Sequence, residues 1–173
     1  MEKRLILTGF MGVGKSSVAK RVAQKLSWSP LDLDEFVVTR QGRSIAGIFE
    51  TEGEEAFRRM ETEALKEALR REKVVIAAGG GILLREVNRE LLRNEVVVNL
   101  SASFEELERR VKNSRTERPL AKGPSGEFRK RFDERKPLYD AVERQVDTEG
   151  KSPAEIAEEI ISRFLGEDME KPG

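Results

Sequence analysis

The apolar run Leu5-Ile6-Leu7 opens straight into Thr8-Gly9-Phe10-Met11-Gly12-Val13-Gly14-Lys15-Ser16, and no other feature restricts the fold more. The spacing is G-x-x-x-x-G-K-S, set between a buried strand and an amphipathic segment, which is the context of a phosphate-binding loop. Glycines let such a loop adopt backbone conformations closed to other residues and bring main-chain N–H groups close to an anion. The positive end of the following helix dipole lies behind them. Gly12, Val13, Gly14, Lys15, Ser16 and Ser17 are therefore candidate phosphate contacts. Lys15 supplies a point charge for the terminal phosphates, and the Ser16 hydroxyl is placed to hold Mg²⁺. A chain of this kind binds a nucleoside triphosphate.

Lys+Arg and Asp+Glu both total 32 in 173 residues, so the formal net charge is zero. A global basic field for nucleic acid is absent, and one Trp and one Tyr offer few stacking platforms. Charge is uneven along the chain, however. Eleven basic residues stand against four acidic ones between Arg109 and Lys136, where a polyphosphate needs covering. Cysteine and histidine are both missing. That removes the thiolate nucleophile, the zinc–cysteine site and the commonest general base. Proton chemistry falls to carboxylates, lysines or metal-bound water. No signal peptide or apolar span is legible, so a soluble cytoplasmic protein with no membrane partner is expected.

Apolar runs at residues 4–8, 74–78 and 96–100 read as strands covered on both faces. A short strand ends in Leu31-Asp32-Leu33-Asp34, and another strand or loop begins at Val146. Between them, helical periodicity is expected from Lys15 to Leu26, Asp34 to Gln41, and from a Ser44 cap onward. Gly53 breaks that last helix, and Glu54 to Arg71 continues with Phe57, Met60, Ala64 and Ala68 on one stripe. Further helices are expected at 85–93, 103–111, 127–142 and from Ser152 onward, with a frayed tail at about 167–173. Residues 113–126 show turn residues and a basic excess, and are read as a mobile loop. Alternating strands and helices without an internal linker mean one α/β domain with a mainly parallel sheet and right-handed crossovers.

Four constellations carry chemistry. Asp32 and Asp34 stand at the carboxyl end of a strand, where open α/β sheets bind ligands; one suits Mg²⁺ and its waters, the other a substrate hydroxyl. A solvated turn would also accommodate both aspartates. Arg58 and Arg59 flank Phe57, so one of them can enter a cleft as a carboxylate fork. Gly79-Gly80-Gly81 follows a buried strand, and three glycines there imply close backbone approach to a ligand. Arg115, Arg118 and Arg135 suit a positive cover over phosphates.

With these stretches in view, the chain resembles the shikimate kinase family over about residues 4–165. The resemblance rests on G-F-M-G-V-G-K-S-S-V (9–18), D-L-D (32–34), G-R-S-I-x-x-I-F-x-x-x-G-E-x-x-F-R-x-x-E (42–61), the triple glycine, R-P-L (118–120) and R-x-P-L-Y (135–139). It implies a nucleoside-monophosphate-kinase-like α/β fold: a three-layer sandwich with a five-stranded parallel sheet, a substrate-binding helical segment at about 34–61 and a lid at about 112–126. It implies transfer of the ATP γ-phosphoryl to the 3-hydroxyl of shikimate, with Mg²⁺, in aromatic amino-acid biosynthesis, by a monomer. By the same resemblance, Ser16 and Asp32 serve the metal, Asp34 holds shikimate hydroxyls and orients or deprotonates the acceptor, and Lys15 and Arg118 stabilise the transferred phosphoryl. Arg58 and Arg135 clamp the carboxylate, the backbone at Gly79–Gly81 contacts the ring, and Arg110 stacks on adenine. Ala78 stands where the family often carries Thr. A gluconate-kinase-like enzyme would share the phosphate loop without the 42–61 block. A nucleotide-binding switch is the rival from another class: Asp147-Thr148-Glu149-Gly150 matches D-x-x-G, but no N-K-x-D motif accompanies it.

Overall fold

The computed structural model describes residues 3–113 and 125–166. Five parallel strands form one sheet in the order β2-β3-β1-β4-β5. The strands are β1 (Arg4–Thr8), β2 (Ser29–Asp32), β3 (Val74–Ala77), β4 (Val97–Ser101) and β5 (Arg144–Asp147). The helices are α1 (Lys15–Leu26), α2 (Leu33–Gln41), α3 (Ile45–Ala68), α4 (Glu86–Leu92), α5 (Phe104–Lys112), α6 (Ser125–Asp140) and α7 (Pro153–Ile160). A π-helical turn over Ile161–Leu165 extends α7.

The three central strands are buried along nearly their whole length, Leu5, Ile6, Leu7, Val75 and Ile76 completely so. Continuous apolar runs are what two covered faces demand. The edge strands differ. Pro30 is tolerated in β2 because an edge strand can spare an N–H, and Val146 lies inside β5 rather than at its start. The chain leaves β1 toward one edge of the sheet and β3 toward the other. Right-handed crossovers therefore put α1 on one face, where α7 packs against it, and α3 with α4 on the opposite face. The crevice lies between β1 and β3, at their carboxyl ends.

Local chemistry sets the helix ends as expected. The Ser44, Ser103 and Ser152 hydroxyls each accept from a backbone N–H in the first turn, Ser152 within a capping box completed by Glu155. Gly53, at φ 85° and ψ 173°, kinks α3, and residues from both halves line the crevice. One expectation needs correction. Leu33 and Asp34 are not the end of β2; they form the first turn of α2, and Asp32 is both the last strand residue and the helix N-cap. Asp is a strong capping residue, so the helix begins as soon as the strand's last hydrogen bond is made.

Aromatic packing secures the far side of the phosphate loop. Phe10 is buried against Phe128 at 5.3 Å between centroids and edge-on to Phe132 at 5.5 Å, both on α6. A loop residue thus docks the helix that carries Arg135 and Tyr139. No helix among the described residues is long and apolar enough to cross a membrane.

Candidate active site

The crevice is a cleft of about 740 Å³ that brings together Gly12, Gly14, Lys15, Ser16, Ser17, Asp32, Asp34, Arg58, Gly80, Gly81 and Arg135. Two kinds of wall face each other across it.

The first wall is main chain. Gly12 and Gly14 have φ of 89° and 98°, conformations that side chains disfavour, and Gly14 is the N-cap of α1. The α1 amino terminus has no acidic residue in its first turn, which leaves its positive end available to an anion. Lys15 Nζ is held over the loop by the carbonyls of Gly9 (2.6 Å) and Phe10 (3.3 Å). Val13 does not line the cleft: its N–H donates to the Phe10 carbonyl and its own carbonyl accepts from Arg110 Nη1 (3.2 Å), so it braces the loop from behind. Arg110 also donates to Thr148 Oγ1 and to Glu106. Held by Arg109 first and Arg110 second, the Glu106 carboxyl lies well below the usual range, at about 2.

Beside this wall, Ser16 Oγ donates to Asp32 Oδ2 while Asp32 Oδ1 accepts from the Glu35 N–H at 3.1 Å. The carboxylate is thereby fixed at both oxygens. Among the described residues no group of three or more acidic side chains could cage a metal. Mg²⁺ in phosphoryl transfer needs no such cage, since phosphate oxygens and waters fill most of its shell. A hydroxyl and one fixed carboxylate beside the phosphate loop fit that requirement.

The second wall is built from side chains. Arg58 and Arg135 are each 5% exposed and Glu61 only 1%. Arg58 Nη1 reaches Glu61 Oε1 at 3.1 Å, and Nη2 reaches Glu54 Oε1 at 3.2 Å. Arg59 faces solvent, which decides between the two arginines of the pair. Burial pushes the Glu61 carboxyl above its ordinary value, against the pull of Arg58. Burial, together with the nearby charge of Arg58, pulls Arg135 downward, and it pushes the Tyr139 hydroxyl up. Among the described residues, the buried side-chain atoms lacking a hydrogen-bond partner are Arg58 Nε, Glu61 Oε2, Arg135 Nη1 and Tyr139 Oη. All four belong to this cluster. Orphaned buried polar atoms are costly, and their gathering at one place marks unmet demand for polar partners, an acceptor for the two arginines and a donor for Glu61 Oε2.

The triple glycine serves this wall in a way the sequence does not announce. A side chain at Gly81 would collide with the Arg58 guanidinium, at 2.3 Å from Nη1; one at Gly79 would meet Glu61 Oε2 at 2.5 Å and Asp34 Oδ1 at 3.0 Å. Only Gly80 and Gly81 line the cleft, so at Gly79 the bare backbone makes room for protein carboxylates rather than for a ligand. A Cβ at Gly80 would sit 3.4 Å from Met11 N and 3.8 Å from Arg135 Nη1. That is where the glycine turn, the phosphate loop and α6 meet. Below it, Arg85 Nη1 donates to the Arg58 carbonyl and Thr62 Oγ1, and Thr62 bonds buried Asn88, tying α3 to α4.

Sequence reasoning missed Glu61 and Tyr139. For Glu61 a signal existed: it lies four residues after Phe57 and three before Ala64, on the apolar stripe, where an unpaired charge is out of place. Arg115 and Arg118 lie outside the described residues, with most of the expected lid. The Asp147–Gly150 motif is a tight turn at the sheet edge, Asp147 Oδ1 accepting from the Glu149 N–H at 3.0 Å, and it does not line the cleft.

A family model described as shikimate kinase matches residues 11–165. A shikimate kinase of Geobacter metallireducens is 44% identical over 167 residues, 95% of this chain and 93% of that protein. The solved shikimate kinase of Acinetobacter baumannii in complex with shikimate superposes with a TM-score of 0.89 at 32% identity, over 95% of this chain and 94% of that one. A gluconokinase from Sinorhizobium meliloti reaches a TM-score of 0.62 at 18% identity, over 93% and 90% of the two chains, which is likeness of fold alone. The loop of main-chain amides, the fixed carboxylate and the buried arginine pair thus stand in a chain that belongs to the shikimate kinase family.

Proposed function

We propose that this chain transfers the γ-phosphoryl of ATP to the 3-hydroxyl of shikimate. The observation that carries the reading is the second wall: Arg58 and Arg135 buried with Glu61, four orphaned polar atoms among them, across one cleft from the phosphate loop. A ring bearing one carboxylate and several hydroxyls supplies what those atoms lack. Gluconate also carries a carboxylate, but the likeness to a gluconokinase extends only to the fold.

The placement of the described residues supports the following roles. Gly12, Gly14, Ser16 and Ser17 offer the loop and helix terminus to the phosphates, and Lys15 moves from the Gly9 and Phe10 carbonyls to the terminal ones. Ser16 and Asp32 would hold Mg²⁺, which would supply positive charge against the phosphates. Asp34, in the first turn of α2 and beside the glycine turn, orients the attacking hydroxyl and accepts its proton. Arg58 and Arg135 fork the carboxylate. Arg110, anchored to Val13, is assigned to the adenine side, and by family resemblance Arg118, outside the described residues, is assigned to ATP. Phosphoryl transfer needs positioning and positive charge more than covalent help, so a chain without histidine or cysteine suffices.

The test is a coupled ADP-release assay with shikimate, gluconate and other hydroxylated acids. Turnover confined to shikimate supports the reading, and an equal rate with gluconate overturns it.

A further inference from the structure

Three polar side chains stand in register across the sheet. Thr8, the last residue of β1, lies opposite Asn99 on β4, and Asn99 lies opposite Gln145 on β5. Thr8 Oγ1 donates to Asn99 Oδ1 at 3.0 Å, Asn99 Nδ2 donates to Gln145 Oε1 at 2.9 Å, and Gln145 Nε2 donates to the carbonyls of Tyr139 (2.8 Å) and Val142 (2.7 Å). Every bond points the same way, donor to acceptor, so each amide has one satisfied orientation. Thr8 is completely buried and Asn99 nearly so. Gln145 is half-buried. A hydrogen-bonded chain anchored at a buried end is stiff, because a slip there leaves a desolvated group unpaired.

Its two ends give it a purpose. One end is the residue immediately before Gly9 of the phosphate loop. The other grips the carboxyl-terminal end of α6, the helix that presents Arg135 and Tyr139 to the second wall. Apolar residues would fill the same space between β-strands without fixing the height of α6, since apolar contacts tolerate sliding. Phe10 also packs on α6, against Phe128 and Phe132 about three and two turns before Tyr139, edge-on to Tyr139 at 6.5 Å and under the Arg135 guanidinium, but these ring contacts carry no directional hydrogen bond that would fix a height.

We propose that Gln145, supported by Asn99, is a positioning residue. It sets the distance between the phosphate loop and the Arg135 guanidinium, and so tunes the grip on the acceptor's carboxylate. The proposal rests on the reading that Arg135 binds that carboxylate. The test is steady-state kinetics on the full chain with Gln145→Met and Asn99→Leu, which keep volume and remove the bonds. Gln145→Met should raise the KM for shikimate about tenfold, roughly the loss of one well-placed polar support, with the KM for ATP and kcat changed less than twofold. Asn99→Leu should act in the same direction but less, since Gln145 keeps its two carbonyls. A purely structural role would lower the melting temperature of both variants and leave both KM values alone; that result, or equal rises in the two KM values, overturns the proposal. Should Gln145→Met itself fail to fold, the Asn99→Leu split decides. Arg135→Ala, assayed in parallel, separates the two ideas: if it leaves the shikimate KM unchanged, the carboxylate reading fails first.

Discussion

The two walls of the cleft both hold an anion, and they do it by opposite means. The phosphate loop uses backbone N–H groups, a helix terminus and one lysine, with almost no buried charge. The arginine pocket uses four buried ionisable side chains, Arg58, Glu61, Arg135 and Tyr139, whose desolvation must be offset by one another and by the ligand. A main-chain site is written into glycine spacing and can be read at once. A side-chain site depends on which face of a helix looks inward, and that is settled only by packing. The difference also predicts where substitutions hurt. Side-chain changes should be severe in the pocket and mild in the loop, apart from Lys15, Ser16 and the glycines.

The largest effect is expected at the group that touches the reacting hydroxyl. Asp34→Asn should lower kcat by about 10²–10⁴, the span of a positioned general base, while ATP affinity measured by calorimetry stays near normal. Loss of nucleotide binding in this variant would assign Asp34 to the wrong wall. Next come the forks. Arg58→Ala or Arg135→Ala should weaken shikimate binding by roughly 10- to 100-fold, as charge-assisted hydrogen bonds are lost, and leave ATP binding intact. If both variants bound shikimate normally, the contrast between the walls would collapse.

Smaller effects sharpen the contrast. Gly81→Ala adds one methyl group into the Arg58 guanidinium. It should cost about 1–3 kcal/mol by chemical denaturation and raise the shikimate KM without touching that for ATP. A substitution in the loop that adds no clash, such as Ser17→Ala, should shift stability by less than about 0.5 kcal/mol. Glu61 gives the mildest and most specific signature. Burial holds its carboxyl above the ordinary 4.5, so the folded state keeps a proton that the unfolded chain has released. Its contribution to stability is complete below pH 4.5 and is lost as pH rises from there through the raised folded value. Glu61→Gln should remove that decline, so denaturation midpoints of wild type and variant should diverge across this window. A constant offset between them would mean that Glu61 is ionised throughout.

Much of the fold was legible because its signals are local. The buried strands show as unbroken apolar runs, and Ser44, Ser103, Ser152 and Gly53 mark helix boundaries with the geometry their side chains, or lack of one, impose. Asp34 was assigned to a strand because the alternation Asp32-Leu33-Asp34 has a two-residue period. A capping bond that costs one strand residue is invisible to that pattern. The phosphate loop was readable for the same local reason. The burial of Glu61 and the place of Gly79 against it were not, since Asp34, Gly79 and Arg135 meet Glu61 from far along the chain. The row Thr8–Asn99–Gln145 has a sequence separation of 91 and then 46 residues, and only strand order and register bring it together.

The most direct test of the arginine pocket compares shikimate with its methyl ester, which keeps the ring and hydroxyls but loses the negative charge. Calorimetry and ADP release on the wild-type chain should show the ester bound and turned over at least about 100-fold less efficiently, the worth of two forked guanidinium contacts, with ATP binding unchanged. Equal efficiency for acid and ester would contradict the account, because a pocket built on buried arginines cannot be indifferent to the charge it was built to hold.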